Sequence, residues 1–90
     1  MRVSVIVVTY NSAGHLGACL VPLCGIGEPA GVEVIVVDNG SRDASVAVAR
    51  QHGARVIANA ENRGLAAAAN QGVRAAVPAS EFLLFLNPDT

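Results

Sequence analysis

The sequence predicts a three-layer α/β domain, a Rossmann-like parallel sheet of strand order 3-2-1-4 with helices on both faces. Three observations predict it. Four apolar runs of strand length, Val3 to Val8, Val32 to Val37, Arg55 to Ala58 and Phe82 to Leu86, alternate with three segments of helical length. The first, second and fourth runs are nearly continuous Val, Ile, Leu and Phe, the pattern of strands covered on both faces. Strand–helix alternation with right-handed crossovers then places helices on both sides of a parallel sheet.

Each element has its own local reason. After the first strand, Leu16, Leu20 and Leu23 recur at i, i+4 and i+7, one face of a helix. Asn11 or Ser12 is a natural N-cap for it. Pro22 crowds the carbonyl four residues back, so a kink or an early end is expected there, followed by a loop through Gly25, Gly27, Pro29 and Gly31. The second helix is expected to begin near Asp43 behind a Ser41 cap and to stop at Gly53, a residue suited to a left-handed C′ position. The third strand-like run is short and flanked by polar residues, which places it near an edge. The third helix is expected from about Leu65 to Val77, with Leu65, Ala68, Ala69, Gly72, Val73 and Ala76 on one side. Its small residues let the axis approach a sheet, and Pro78 ends it.

Composition bounds the function. The chain has 90 residues, 52% hydrophobic and 14% charged, with a formal net charge of −1. That fits one small domain, too apolar for intrinsic disorder, with no apolar run reaching the roughly 18–20 residues of a membrane span. All six basic residues are arginine, against seven acids, so no basic field exists to hold a nucleic-acid backbone or an anionic membrane. Cys19 and Cys24 fit neither a C-x-x-C motif nor a zinc spacing, and buried thiols in a reducing compartment are expected. Met1-Arg2 leads straight into a strand-like run without the parts of a secretory signal. The expected location is cytoplasmic, with a peripheral position at the cytoplasmic membrane left open for a full-length protein. A core this small, with only 3% aromatic residues, leaves little stability to spare.

In an open parallel sheet, ligands bind outside the carboxyl ends of the strands, near the point where strand order reverses. Nearly all the polar chemistry of this chain falls there. Thr9-Tyr10-Asn11-Ser12 follows the first strand and Asp38-Asn39-Gly40-Ser41-Arg42-Asp43 the second. Asn59-Ala60-Glu61-Asn62-Arg63-Gly64 follows the third and Asn87-Pro88-Asp89-Thr90 the fourth. A turn-and-cap role would also account for Asn39, Gly40, Ser41, Asn62 and Gly64. Asp38 is harder to explain so, because a carboxylate ending a buried strand needs a donor, and a ligand N–H or ribose hydroxyl would serve. Tyr10 suits stacking on a base, with core packing as the alternative. Arg63 is either an anion contact or a solvated charge. Asp89, behind Pro88, is a candidate ligand for a hard cation such as Mg²⁺. His15 and His52 are isolated and read as surface or cap residues.

Val7-Val8-Thr9-Tyr10-Asn11, Val36-Val37-Asp38-Asn39-Gly40-Ser41-Arg42-Asp43, Asn62-Arg63-Gly64 with Ala69-Asn70-Gln71-Gly72, and Leu86-Asn87-Pro88-Asp89 together resemble the nucleotide-binding half of family-2 glycosyltransferases. Those are inverting enzymes of the GT-A fold that use nucleotide-diphosphate sugars, and the resemblance spans the whole chain. The Asn-Pro-Asp variant and the Asn62 to Gly72 segment look most like a rhamnosyltransferase-type branch, of the kind that serves polysaccharide biosynthesis. The resemblance implies that Thr9, Tyr10 and Asn11 frame the base and that Asp38 accepts a hydrogen bond from a pyrimidine N3–H. Ser41 would lie near base and ribose, and Asn62, Arg63 and Gly64 would border the ribose-diphosphate. Asp89, with Asn87 as a neutral second ligand, would hold Mg²⁺ or Mn²⁺ against the diphosphate, where the ion offsets charge on the leaving nucleotide. The donor so implied is a UDP- or dTDP-sugar, and the acceptor a glycan or lipid-linked glycan.

Family members continue into an acceptor-binding half that carries the catalytic base, so residues 1–90 are expected to be the donor half-domain alone. No acid of this chain matches the position of that base, and none is assigned; binding of donor without turnover is expected. The fourth strand is expected to lack the cover that the complete family fold gives it, which predicts self-association through its apolar flank. Two rivals are a dinucleotide-binding oxidoreductase domain and a non-catalytic interaction module of the same half-fold. Asp38 ends the second strand as a ribose-binding acid would, but the first turn carries no G-x-G-x-x-G to bring backbone amides to a pyrophosphate.

Overall fold

Val3–Thr9 forms the strand β1, and its continuous Val and Ile side chains reach cover on both sides because the sheet is sandwiched between helices. The computed structural model describes residues 3–26, 32–76 and 82–86. Along these, β1 is followed by α1 (Ala13–Ile26), β2 (Val32–Asp38), α2 (Ser45–Gln51), β3 (Arg55–Ala58), α3 (Leu65–Ala75) and β4 (Phe82–Leu86). All pairings are parallel and the order is β3-β2-β1-β4, as the sequence predicts. The register runs Val3↔Val32 to Thr9↔Asp38 between β1 and β2, and Val3↔Phe82 to Val7↔Leu86 between β1 and β4. The short β3 is an edge strand beside β2.

The period-2 pleat divides the core into two layers. Val5, Val7, Val34 and Val36 face α1 and α2, packing on Leu16, Leu20 and Ala49. Ile6, Ile35 and Val37 face α3 through Ala68. Closeness on this second side depends on Gly72. A Cβ there would fall 3.1 Å from Ile6 Cγ1 and nearer still to Cγ2. Only a glycine lets the helix axis settle on a fully buried isoleucine.

Several local expectations are corrected. Pro22 does not end α1 early, since the helix continues to Ile26; Leu16 and Leu20, both fully buried before the proline, hold the first turns on the sheet. The side chains of Leu23 and Cys24 lie outside the described residues, and Cys19 is half-buried rather than buried, with burial pushing its thiol pKa up. Ser41 does not cap α2, which starts at Ser45 behind Ala44, because the Ser41 hydroxyl is engaged by Asp38 and Asn11. Gly53 does take a left-handed φ of +79° just beyond the helix. On α3 the sheet-facing line is Ala68 and Gly72. Leu65 is 72% exposed at the first turn and Val73 also points outward, because the axis follows the four-residue spacing that meets Ile6. The helix ends at Ala75, short of the expected Val77, because Ala76 is already extended at ψ 146°; Pro78 itself lies outside the described residues.

Candidate functional site

The carboxyl ends of β1, β2 and β4 and the start of α3 enclose a cleft of about 400 Å³. Its lining is Val8, Thr9 and Tyr10 from β1 and its loop, Ser12, Asn39 after β2, Asn62 and Leu65 at the entry to α3, and Phe85 and Leu86 from β4. This is the end of the sheet, and the reversal of strand order between β1 and β4, at which the sequence gathers its polar residues.

Thr9 is 2% exposed, and its Oγ1 has no hydrogen-bond partner among the described residues. A buried hydroxyl left so is costly, and here it belongs to a residue that lines the cleft. Tyr10 lines the cleft and is 48% exposed. The Ser12 hydroxyl donates to the Tyr10 carbonyl at 2.9 Å and so fixes that turn.

The β1–α1 and β2–α2 loops are fastened together. The Asn11 N–H donates to Ser41 Oγ at 2.8 Å, and Asn11 Oδ1 accepts from the Arg42 N–H at 2.8 Å. The Ser12 N–H donates to Ser45 Oγ at 3.1 Å, and the Ala13 N–H to Asp43 Oδ2 at 3.1 Å. Asn11 pays for this closure with a left-handed φ of +48°, tolerated by asparagine better than by most side chains. Behind the fastening, Asp38 is 1% exposed and accepts both the Ser41 N–H (2.9 Å, Oδ2) and the Ser41 hydroxyl (2.5 Å, Oδ1). The donor that a carboxylate in this place requires is therefore supplied within the chain, and no ligand is needed to explain it.

The third loop is held by Asn39. Its Oδ1 accepts from the Arg63 N–H and from Asn59 Nδ2, both at 3.2 Å, while its Nδ2 donates to the Gly64 carbonyl at 3.2 Å. Asn59 and Gln71 exchange reciprocal amide bonds of 2.7 and 2.8 Å, tying the loop to α3. Gly40, at φ +83°, lies so near this loop that a Cβ would stand 2.9 Å from the Glu61 backbone. Tyr10, Asp38 and Arg63 thus belong to three loops that meet along one rim.

Of the residues singled out in the sequence, Thr9, Tyr10 and Asn62 line the cleft. Asn11, Asp38 and Ser41 form the fastening beside it. Arg63 and Gly64 sit in the loop that Asn39 secures, both exposed and neither lining the cleft. Asn87 and Asp89 lie outside the described residues, beyond Leu86. Among the described residues no group of three His, Cys, Asp or Glu side chains could hold a metal ion, and no acid lines the cleft. Ser12, Asn39, Leu65 and Phe85 are lining residues that the sequence reading did not select. For Asn39 a signal existed, its place directly after Asp38 at the end of β2.

Comparison with known proteins gives a consistent result. The profile of the family described as Glycosyl transferase family 2 matches residues 4–90. "Putative glycosyltransferase EpsH" of Bacillus subtilis (strain 168) is 33% identical over 91 residues, a match that takes in 97% of this chain and 26% of that protein. The crystal structure of S. aureus TarS 1–349 in complex with UDP-GlcNAc superposes with a TM-score of 0.86 at 30% identity, over 99% of this chain and 27% of that one. The mannosyltransferase PcManGT from Pyrobaculum calidifontis, in complex with GDP-Man and Mn²⁺, gives 0.81 at 29% identity, over 98% of this chain and 27% of that one. The chain therefore spans about a quarter of the length of these relatives.

Proposed function

The chain belongs to glycosyl transferase family 2, and on that premise we propose that its cleft binds the nucleotide of a UDP- or dTDP-sugar during inverting transfer to an acceptor hydroxyl. The observation that carries the reading is the buried hydroxyl of Thr9, without a partner among the described residues, in a cleft at the carboxyl edge of a GT-A sheet that Tyr10 also lines. UDP-GlcNAc in TarS and GDP-Man in PcManGT support a nucleotide-sugar donor. The pyrimidine rests on the family resemblance, in which Asp38 accepts a base N–H; in the structure that carboxylate is 1% exposed and stands beside the cleft lining, bonded to Ser41.

In the transfer, the acceptor oxygen bonds to the anomeric carbon as the bond to the diphosphate breaks, and the hydroxyl proton passes to a base. The described acids leave that base to another part of the protein. Glu33 bonds Ser4 and Arg55, Asp38 bonds Ser41, Asp43 bonds Ser45 and Ala13, and Glu61 is exposed outside the cleft lining. In this reading residues 1–90 bind donor without turning over by themselves. Mg²⁺ or Mn²⁺, held by Asp89 with Asn87, would supply charge compensation to the leaving diphosphate. Mn²⁺ in the PcManGT complex supports a divalent ion. The acceptor in this reading is a glycan or lipid-linked glycan and the setting is cytoplasmic. Self-association through β4 belongs to the same reading and is supported by Phe85, which is 51% exposed; sedimentation as a monomer at high concentration would count against it.

The test is calorimetric titration with UDP, dTDP and GDP, with and without Mn²⁺, on the wild type and Asp89→Ala. Mn²⁺ is expected to tighten pyrimidine nucleotide binding, and the substitution to abolish that gain. An equal response of both proteins to Mn²⁺ removes Asp89 from the ion's site, and preference for GDP overturns the pyrimidine assignment.

A further inference from the structure

We propose that Gln71 and Asn59 are positioning residues for nucleotide binding, acting through Asn39 to fix the cleft wall that carries Asn62 and Leu65. The inference rests on the nucleotide-binding reading and deepens it. Neither Gln71 nor Asn59 lines the cleft, yet together they hold one side of it.

Each member of this side-chain relay hangs from regular structure. Gln71 lies on α3 beside Gly72, the residue seated on Ile6. The Asn59 N–H donates to the Asp38 carbonyl at 2.8 Å and the Asn39 N–H to the Thr9 carbonyl at 2.9 Å, so both residues prolong the bonding of the sheet. The stretch 60–64 has no such support of its own. Among the described residues, its hydrogen bonds to the rest of the chain run to Asn39 and to Ala68 of α3.

The loop end fixes the direction of every amide. The Arg63 N–H can only donate and the Gly64 carbonyl can only accept, so Asn39 turns Oδ1 to the first and Nδ2 to the second. Asn59 must then present Nδ2 to Asn39 Oδ1, at 3.2 Å, and its second Nδ2 proton goes to Gln71 Oε1 at 2.7 Å. Its Oδ1 is left to accept from Gln71 Nε2 at 2.8 Å. No amide of the relay can flip without setting like against like, which is costly away from water. The wall so fixed presents a donor. Asn62 Oδ1 accepts the Gly64 N–H at 2.7 Å, which leaves Asn62 Nδ2 without a partner among the described residues. In a cleft lined by no charged side chain, that amide is a donor for nucleotide oxygens, and its place depends on the relay.

The test is UDP titration in Mn²⁺ by calorimetry, with amide hydrogen exchange followed by NMR in the absence of nucleotide and circular dichroism to check folding. The variants are Gln71→Met and Asn59→Leu, which keep size and remove the amides, and the double variant. Gln71→Met is expected to weaken UDP about fivefold, the scale of one ordinary hydrogen bond, and the double variant no more than Asn59→Leu alone. The Arg63 N–H is expected to exchange faster by a larger factor than that of Val36, which opens only with the whole fold. A change confined to stability would speed Val36 and leave the affinity of the folded protein as it was. Asn59→Leu alone is expected to show both effects, so the proposal stands or falls even where Gln71→Met does not fold. Unchanged UDP affinity in a folded variant, an acceleration at Arg63 no greater than at Val36, or a full additional loss in the double variant overturns the role of the relay while leaving the nucleotide site standing. A wild type that binds no UDP overturns the site reading itself, and this inference with it.

Discussion

The Asp43 carboxylate, in the β2–α2 loop, accepts the backbone N–H of Ala13 at 3.1 Å, at the start of α1. Its other oxygen accepts the Ser45 N–H at 2.9 Å and the Ser45 hydroxyl at 2.5 Å. Ala13 and Ser45 are the first residues of α1 and α2, so one negative side chain satisfies an orphan N–H at the start of two helices. These bonds, with that from the Ser45 hydroxyl the largest, lower the Asp43 pKa below the ordinary carboxylate value. A group whose pKa is depressed by folding stabilises the native state above its unfolded pKa, and that contribution disappears as pH falls through the folded value. Asp43→Asn is therefore expected to melt below the wild type at neutral pH. The gap should narrow as the solution is acidified through and below pH ~4. Thermal melts of both proteins across that range check the point, and parallel curves would show that the charge contributes nothing.

Thr9→Val separates folding from binding. The isosteric change removes a buried hydroxyl that has no partner among the described residues, so stability is expected to rise by about 1 kcal/mol. UDP affinity is expected to fall by about tenfold, because the ligand loses the group that would pair with it. Denaturant melts and calorimetry give the two signs. A variant that is both less stable and unaltered in binding would mean that Oγ1 serves the fold alone.

Gly40→Ala strains two things at once. It asks an L side chain to hold φ +83°, and it drives a Cβ to 2.9 Å from the Glu61 backbone. A backbone neighbour cannot rotate away as a flexible side chain can. A loss of about 2 kcal/mol or more is expected in urea unfolding, with weaker nucleotide binding as the two loops part. A loss below half of that would show that the loops move independently.

Gly72→Ala sets helix propensity against packing. Alanine in a helix interior gains about 1 kcal/mol over glycine, whereas overpacking a core costs about 1–3 kcal/mol. Ile6 is β-branched and fully buried, with little room to yield, so packing is expected to win by about 1 kcal/mol. A stabilised variant would place the axis of α3 farther from the sheet.

The parallel sheet was legible because continuous apolar runs such as Val34 to Val37 have no use for burial on both faces in any other common arrangement. The rim was legible for a related reason, since polar residues at strand ends cannot enter the core. Roles within the rim were less so. Ser41 and Asn11 both look like caps by residue type, yet their partners lie across a gap of about thirty positions, and spacing along one chain carries no trace of contacts between loops. Asn39 reads as a turn residue, and its three bonds to the Asn59–Gly64 segment emerge only when that loop folds back over it. Leu65 follows hydrophobic periodicity toward the sheet but ends at the cleft, because periodicity fixes a helix face and not which turn of that face overhangs the sheet.

β1 takes β2 along one side and β4 along the other, and Val7 meets Leu86 from nearly the opposite end of the described chain. During synthesis at about 5–20 residues per second, that second side waits several seconds after β1 and β2 have left the ribosome. Through that interval the nascent polypeptide presents the unpaired edge of β1, an interior strand of the finished sheet, as an open site for association until β4 arrives.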